Sequence, residues 1–413
     1  MTETAISGLL VLPGGITAGS VVLDSQSGLI AAVRPGASEG ERFPDPCLIF
    51  PGFIDLHVHA REDVSGAETH KECYATAGRA ALAGGVTHYA DMPNNPVPPV
   101  DEASYAAKLE IARRSPLPIT LYAGIGPGTR PLKRRVPYKA YLGPSVGPLY
   151  FRSNAEVEET LAHYRGENVS FHCEDPEVLE NRRGAASHEE RRPPEAEISA
   201  TALAIKMAER HDLAVKLCHY STGAGLELVR RARRQGLRVA LEAAPHHLFF
   251  DTSMLRPDNT RLLQMNPPLR SPRDRRALIE ALRQGEVEHL ASDHAPHTLA
   301  EKEKGMSGVP HLDTYGAFLT WLMEAEGFTP LQILRCACEN PGRFLRPYLP
   351  AACGQGIGRI ETGTRGDICV LDPRAPFTPR NEDMQTRCGW TPFAGMRFPG
   401  RVKAVWLGGA RKV

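Results

Sequence analysis

The chain has 413 residues, of which 42% are hydrophobic and 23% are charged, and its formal net charge is +1 at pH 7. This length is sufficient for a large hydrophobic core. A balanced charge lacks the field typical of proteins that bind nucleic acid or membrane surfaces, so we expect neither as a partner.

The ends of the chain predict a β-rich region. Residues 1–50 read as short strands separated by turns, and the segments GRIETGTRGDICVLDP and RVKAVWLGGARK near the other end have the same character. Neither end has enough apolar residues for a core of its own. We therefore predict that residues 1–50 and 346–413 pair into one composite β-sandwich domain.

Between residues 51 and 345, strand-like and helix-like segments alternate about eight times. Such alternation predicts a parallel α/β sheet, and at this length a (β/α)8 barrel of the TIM type fits best. A doubly wound open sheet is the alternative, but no glycine-rich phosphate loop follows the first strand to favour it. Among the elements, we predict a strand over 238–250, a helix capped by Asn154, and a helix capped by Ser271 with Pro272 at its first position.

The first predicted barrel strand, PGFIDLHVHARE, begins with apolar residues typical of a core and ends with polar residues typical of an active site. His57, His59 and Arg61 lie on alternate positions, so their side chains leave the backbone on the same face. A single histidine on an apolar strand is more often a core residue than a ligand. Two imidazoles and a guanidinium on one face are instead typical of a metal with an anion beside it.

Further polar side chains follow at the ends of the later strands, where barrel enzymes have their active sites. They are Asn94, Asn95, Lys139, His172, His219, Asp293, His294 and His297. We interpret His88, in mid-strand, as core and leave His246 and His247 open. The candidate ligands are nitrogen and oxygen donors without cysteine, which suits zinc in a catalytic site.

Lys139 requires its own explanation. A lysine facing the barrel mouth has to be desolvated, and beside a metal cluster its ammonium is repelled. A modification that converts its amine into an anion would remove both objections.

These motifs together resemble those of the cyclic amidohydrolases, and among them the dihydroorotases. The segments that carry the resemblance are DLHVHARE, HKE, GGVTHYADMPNNPVPP, YKAYLGPS, FHCEDPE, CHYSTGAGLEL, MNPPLR and ASDHAPHT, with GRIETGTRGDICVLDP near the C-terminus. The resemblance implies two zinc ions bridged by a carboxylated Lys139 and a hydroxide. The implied ligands are His57, His59, Lys139, His172, His219 and Asp293, and Asp293 also acts as general base and then acid.

The resemblance also implies the substrate. Arg61 is the dihydroorotase-like residue after the two histidines, because its guanidinium can hold a substrate carboxylate bidentately. Asn95, Asn266 and His297 match further substrate contacts. The implied reaction is the reversible cyclisation of N-carbamoyl-L-aspartate to L-dihydroorotate in de novo pyrimidine biosynthesis.

Three alternatives remain at this stage. Arg61 could form a surface ion pair with Glu62 or Asp63. The enzyme could be a related cyclic-amide hydrolase of the allantoinase or hydantoinase type, or the chain could be a catalytically silent structural partner. One departure from the dihydroorotase pattern is the link 61–69, which is longer than usual and lacks the family's proline.

The remaining expectations concern a lid, the assembly and the compartment. The glycine-rich, charged segment His297–Thr314 is a candidate lid over bound substrate. The expected partner is a small-molecule substrate, and the expected assembly is a homo-oligomer, a dimer in the simplest case. Nine cysteines without CxxC pairs and an N-terminus without a basic region indicate a cytoplasmic protein.

Overall fold

A computed structural model describes residues 3–144 and 148–413. Its strands are β1 (Glu3–Leu12), β2 (Gly15–Asp24), β3 (Leu29–Pro35), β4 (Glu41–Arg42), β5 (Leu48–Pro51), β6 (Phe53–Val58), β7 (Val86–Asp91), β8 (Ile119–Leu121), β9 (Ala123–Ile125), β10 (Tyr138–Tyr141), β11 (Asn168–His172), β12 (Ala214–Leu217), β13 (Val239–Ala243), β14 (His289–Leu290), β15 (Ile368–Asp372), β16 (Arg401–Leu407) and β17 (Ala410–Arg411).

The helices alternate with the strands of the central region. They are α1 (Tyr74–Ala83), α2 (Glu102–Ala112), α3 (Asn154–Leu161), α4 (Pro176–Asn181), α5 (His188–Arg191), α6 (Pro194–His211), α7 (Leu226–Arg234), α8 (Pro245–Phe249), α9 (Pro272–Arg283), α10 (Leu299–Glu303), α11 (Tyr315–Glu324), α12 (Pro330–Leu334) and α13 (Asn340–Leu345). A π-helical turn, Arg335–Glu339, joins the last two. No helix in the described ranges is long and apolar enough to cross a membrane.

Strands β6 to β14 form a parallel barrel. β6, β7 and β8 pair in that order, and β9 to β14 pair in chain order. β8 and β9 are two parts of one barrel strand interrupted at Tyr122, so the described ranges contain eight barrel strands. The barrel closes where Val58 bridges His294 and the His59 amide donates to the His294 carbonyl at 2.8 Å. The predicted (β/α)8 class is confirmed.

The two chain ends contribute to one further sheet, in which the strand order is β17-β16-β15-β5-β1-β2-β3 and β4 pairs with β1. The joining contact is the antiparallel pair of β5 and β15. Its buried side chains include Ile6, Val21, Ile49, Val370 and Trp406. A sheet formed from both ends agrees with the predicted fold class, while the boundaries at 50 and 346 stay predictions.

Two local predictions were wrong. The strand predicted over 238–250 ends at Ala243, because Pro245 starts helix α8, where its fixed φ and missing N–H suit the first turn. The cap of α3 is Ser153, whose Oγ accepts from the Glu156 amide, and Asn154 is the first helical residue.

The prediction for α9 is confirmed. Ser271 is its cap, accepting from the Asp274 amide at 3.2 Å, and Pro272 is its first residue. The predicted strand around Lys139 ends at Tyr141, and Ser145 of that segment lies outside the described ranges.

Candidate metal centre and substrate cavity

A cavity of about 430 Å³ opens at the carboxyl ends of the barrel strands. Parallel strands present their carboxyl ends on one face of a barrel, so residues far apart in sequence meet there. Eight residues singled out from the sequence line it: His57, His59, Arg61, Asn94, His172, His219, Asn266 and Asp293.

His57, His59 and Asp293 form one cluster. The Nε2 atoms of His57 and His59 lie 3.2 and 3.3 Å from the same Oδ1 of Asp293. All three residues are buried, and one donor atom from each lies within 4.8 Å of the other two. These residues are therefore placed to share a metal ion.

His172 and His219 extend this cluster. His172 Nδ1 is 3.0 Å from His219 Nε2, and the ring centroids of His57 and His219 are 5.2 Å apart. His219 and Asp293 have left-handed backbones, with φ of 37° and 49°. Non-glycine residues in this region store strain and concentrate at functional sites, which supports an active centre here.

The buried carboxylate of Glu242 orients the His57 ring. Glu242 on β13 places Oε1 2.6 Å from His57 Nδ1 and also accepts from the His219 amide at 3.3 Å. Its other oxygen pairs with the Lys216 ammonium. A carboxylate on the outer nitrogen fixes the tautomer of a metal-binding histidine. Sequence reasoning missed Glu242, although it ends a strand as the ligands do.

The other histidines have similar partners. His59 Nδ1 is 2.7 Å from Asn94 Oδ1, and His172 Nε2 is 2.9 Å from Glu174 Oε2. Glu174 is in turn paired with Arg192. Each contact leaves the opposite ring nitrogen directed at the cluster, as metal coordination requires.

Burial sets the protonation of these groups. It lowers the pKa of His57 to about 3, with Lys139 contributing, and lowers the pKa of His59 and His219 well below the usual range. These imidazoles are therefore neutral near pH 7 and have a lone pair for a metal. Burial raises the pKa of the Asp293 carboxyl well above its usual range, against the lowering effect of Lys139.

Lys139 is fully buried on β10, beside the histidines. Its Nζ has no hydrogen-bond partner among the described residues and lies 5.1 Å from the centroid of the Tyr141 ring. An unpaired buried ammonium is costly. The structure thus has the buried, unpaired lysine that the sequence predicted, with the same cost of burying its charge.

Arg61 is buried and lines the cavity. Its Nη2 lies 3.3 Å from His297 Nε2, whereas Nε and Nη1 have no partner in the described part of the chain. Its backbone is left-handed, with φ of 62°. The guanidinium therefore has donors available for an anion inside the cavity.

The alternative of a surface ion pair for Arg61 is wrong. Glu62 accepts instead from the Tyr74 amide and the Arg114 guanidinium. Asp63 accepts from the amides of its own loop and of the segment after β7. Both carboxylates are occupied elsewhere, and Arg61 is directed inward.

The remaining predicted substrate residues occupy different positions. Asn266 lines the cavity, and its Oδ1 has no partner among the described residues. His297 lies behind Arg61, and Asn95 pairs with the ammonium of Lys108, so neither belongs to the cavity lining. Their substrate roles stay predictions.

Other lining residues were not predicted as ligands or substrate contacts. Asn94 and Tyr141 come from strand ends, and Met265 precedes Asn266. Gly305–Gly308, within the predicted lid, forms another part of the wall. This segment is in position to cover a ligand, while its closure stays a prediction.

The pattern of the amidohydrolase family matches residues 48–411. The chain belongs to the amidohydrolase family. Curated relatives agree: a dihydroorotase from Thermococcus kodakarensis is 32% identical over 412 residues, covering 97% of this chain and 92% of the relative. A dihydroorotase from Pyrococcus abyssi is 34% identical and covers 88% and 82%. The resemblance predicted from the sequence is confirmed.

Solved structures show the same fold. An L-hydantoinase from Arthrobacter aurescens superposes with a TM-score of 0.87 over 100% of this chain and 96% of that chain, at 21% identity. A dihydropyrimidinase from Brevibacillus agri has a TM-score of 0.85 at 22% identity, covering 100% and 95%. At this identity the likeness concerns the barrel and its second sheet, and the reaction has to be argued from the site.

Proposed function

We propose that this amidohydrolase is a zinc-dependent dihydroorotase, which catalyses the reversible cyclisation of N-carbamoyl-L-aspartate to L-dihydroorotate in pyrimidine biosynthesis. The curated relatives that cover most of the chain support this assignment. The decisive observation is Arg61, a buried guanidinium that faces the cavity without a carboxylate partner in the described residues.

The substrate supplies the missing carboxylate. Both dihydroorotate and carbamoyl-aspartate have one beside the amide that is closed or opened. The free Nε and Nη1 donors of Arg61 would bind it, and Asn266 Oδ1, also without a partner in the described chain, is available to the ring. A buried arginine that is neutralised only by substrate favours anionic ligands over neutral cyclic amides.

The donor set fits zinc. Neutral imidazoles and a carboxylate converge, and each of three imidazoles is oriented by a partner on its other nitrogen. His57, His59, His172, His219, Lys139 and Asp293 would hold two ions. Zinc, when bound, supplies Lewis-acid chemistry that polarises the amide carbonyl and makes water more acidic.

Lys139 would bind metal as a carbamate. Its neutral amine adds to carbon dioxide and loses a proton, giving an anion in place of a buried, unpaired cation. This would remove the energetic difficulty at Nζ and would supply two oxygen donors beside the histidines.

Asp293 would transfer the proton. In the hydrolytic direction, its carboxylate accepts a proton from the attacking water while the hydroxyl adds to the amide carbon. The same carboxyl then donates that proton to the leaving ring nitrogen as the C–N bond breaks. Burial raises the pKa of Asp293 well above its usual range, which makes this carboxyl a stronger proton acceptor than an exposed one.

The test is substrate profiling of the zinc-loaded protein with L-dihydroorotate, carbamoyl-aspartate, hydantoin and allantoin. We expect turnover of the first two. Arg61→Met should raise the KM for dihydroorotate by about 100-fold, since it removes a charge-assisted bidentate contact. Arg114→Met is the matched control and should leave KM unchanged, because Arg114 is an exposed arginine that pairs with Glu62, the residue after Arg61.

Faster turnover of hydantoin or allantoin than of dihydroorotate would favour the alternative cyclic-amide hydrolases. Absence of turnover and of bound zinc would favour the catalytically silent alternative. We also propose that the protein is cytoplasmic and that it forms a dimer. The mass of the native particle in solution tests the dimer directly.

A further inference from the structure

Lys302, at the end of α10, is fully buried and has an unusual set of partners. Its Nζ donates to three backbone carbonyls: Gln264 at 2.7 Å, Gly308 at 2.8 Å and Met306 at 2.9 Å. An ammonium has three N–H donors, so these acceptors use all of them. Among the described residues it forms no ion pair, and carbonyl dipoles alone compensate its charge.

Gln264 reinforces the same contact from the opposite side. Its carbonyl accepts from the Gly308 amide at 2.9 Å as well as from Lys302. Its side-chain amide donates to the Gly305 carbonyl and, at 3.1 Å, to the Ser307 hydroxyl. We call Lys302 and Gln264 together the carbonyl clasp.

The carbonyl clasp joins two parts of the cavity wall. Met265 and Asn266, which follow Gln264 directly, line one part, and Gly305–Gly308 lines the other. Gly305 and Gly308 have φ of 85° and 135°, conformations that side chains other than glycine rarely adopt. A segment with two such glycines has little local preference for one shape, so its position depends on contacts such as these.

We propose that Lys302 is a positioning residue for substrate binding: it holds the Gly305–Gly308 segment and Asn266 at the spacing that the dihydroorotate ring requires. The inference rests on the proposed function for the identity of the ligand. Lys302 itself does not line the cavity, so it acts through the backbone that it binds.

Lysine suits this task because its donors radiate from one atom. A neutral amide in its place offers two donors and a carbonyl oxygen, which would face three carbonyls with the wrong polarity. Burial lowers the pKa of Lys302 to about 7, which shows how far the surrounding wall is desolvated. Burial lowers the pKa values of the nearby His246 and His297 well below the ordinary histidine value, so neither adds a charge near neutral pH.

The test is Lys302→Met, which keeps the length of the side chain and removes its donors. The zinc-loaded variant should show a KM for L-dihydroorotate raised about tenfold, with kcat within about threefold of the wild type, because ground-state and transition-state binding are lost together. Amide hydrogen exchange should accelerate in a peptide containing Gly305–Gly308. Lys304→Met, an exposed lysine two residues later, is the control and should change neither measurement.

Unchanged KM together with unchanged exchange would overturn the inference, as would a loss confined to kcat. If Lys302→Met does not fold, Gln264→Leu tests the carbonyl clasp by removing only the side-chain amide contacts and leaving Lys302 with its three carbonyls, and should raise KM about threefold with faster exchange in the same peptide. Absence of dihydroorotate turnover in the wild type would overturn the proposed function instead. The hydrogen-exchange measurement tests whether the carbonyl clasp holds the Gly305–Gly308 segment, and it does not depend on activity.

Discussion

Two buried lysines lie near the metal centre, and their surroundings differ. Lys216 is on β12, and its ammonium pairs with Glu242. Lys139, on β10, lies beside the histidines and has no hydrogen-bond partner among the described residues. Both side chains are almost completely inaccessible to water.

The difference indicates a structural role for the Lys216 charge and a functional role for Lys139. Burial alone would raise the pKa of the Glu242 carboxyl, but Lys216 and His57 hold it well below its usual range, so the pair is a complete ion pair. Lys139 Nζ and Arg61 Nε and Nη1 form no hydrogen bond among the described residues, although both side chains lie near enough to Asp293 to lower its pKa. Buried cations that are not paired with a carboxylate indicate where an external group has to enter.

The largest expected effect is at the shared ligands. Asp293→Ala and His57→Ala should each lower kcat/KM by about 10⁴-fold, because the proton carrier or a metal ligand is lost. Thermal unfolding of the variants should stay within a few degrees of the wild type. Substantial residual turnover in either variant would contradict the assignment of these residues.

Lys139→Ala should come next, with activity reduced by about 10³-fold and loss of part of the bound zinc. Native mass spectrometry of the intact wild type should show the mass of one added carbon dioxide, which should be absent from Lys139→Ala. Lys216→Met is the matched control, because Lys216 already has a carboxylate partner. An adduct on Lys216, or none on Lys139, would remove the distinction between the two lysines.

Glu242→Gln tests how much the ion pair between Lys216 and Glu242 contributes to stability. It leaves Lys216 buried without a counter-ion, which should cost about 3–5 kcal/mol in the free energy of unfolding. Zinc affinity, measured by competition with a chelator, should fall about 10- to 100-fold because His57 loses its orienting partner.

The double variant Lys216→Met/Glu242→Met is the control for the ion pair. It should recover most of the unfolding free energy, since an apolar pair can replace a buried ion pair of similar volume. Zinc affinity should remain low, because the contact to His57 is still absent. Recovery of zinc affinity in the double variant would show that Glu242 does not orient the ligand.

Much of the fold followed from local patterns. Alternating strands and helices are recorded directly in the order of apolar residues, and the barrel class rests on that order. The boundary at Ala243 was missed because Leu248, Phe249 and Phe250 are typical of a strand, although Pro245 before them argues against one, and because the contact of His247 with the Pro267 carbonyl is tertiary.

The site was predictable to the extent that its residues stand at strand ends. His57, His59, His172, His219 and Asp293 meet at one cavity because a parallel barrel brings those ends together. Glu242 and Glu174 were missed, since a carboxylate at a strand end has no local sign that distinguishes an orienting partner from a solvated one. Lys302 was also missed, because its acceptors are backbone carbonyls that no sequence pattern records.

By itself, the sequence determined the family, the barrel and the candidate ligands, because periodicity and motif spacing are properties of neighbouring residues. Only the tertiary structure decided which buried charges are compensated. Compensation depends on atoms that meet across the barrel: Lys216 pairs with Glu242, whereas Lys139 Nζ and Arg61 Nε and Nη1 have no hydrogen-bond partner in the described chain. That contrast is the physical basis for proposing an anionic substrate in this cavity and a modified lysine beside it.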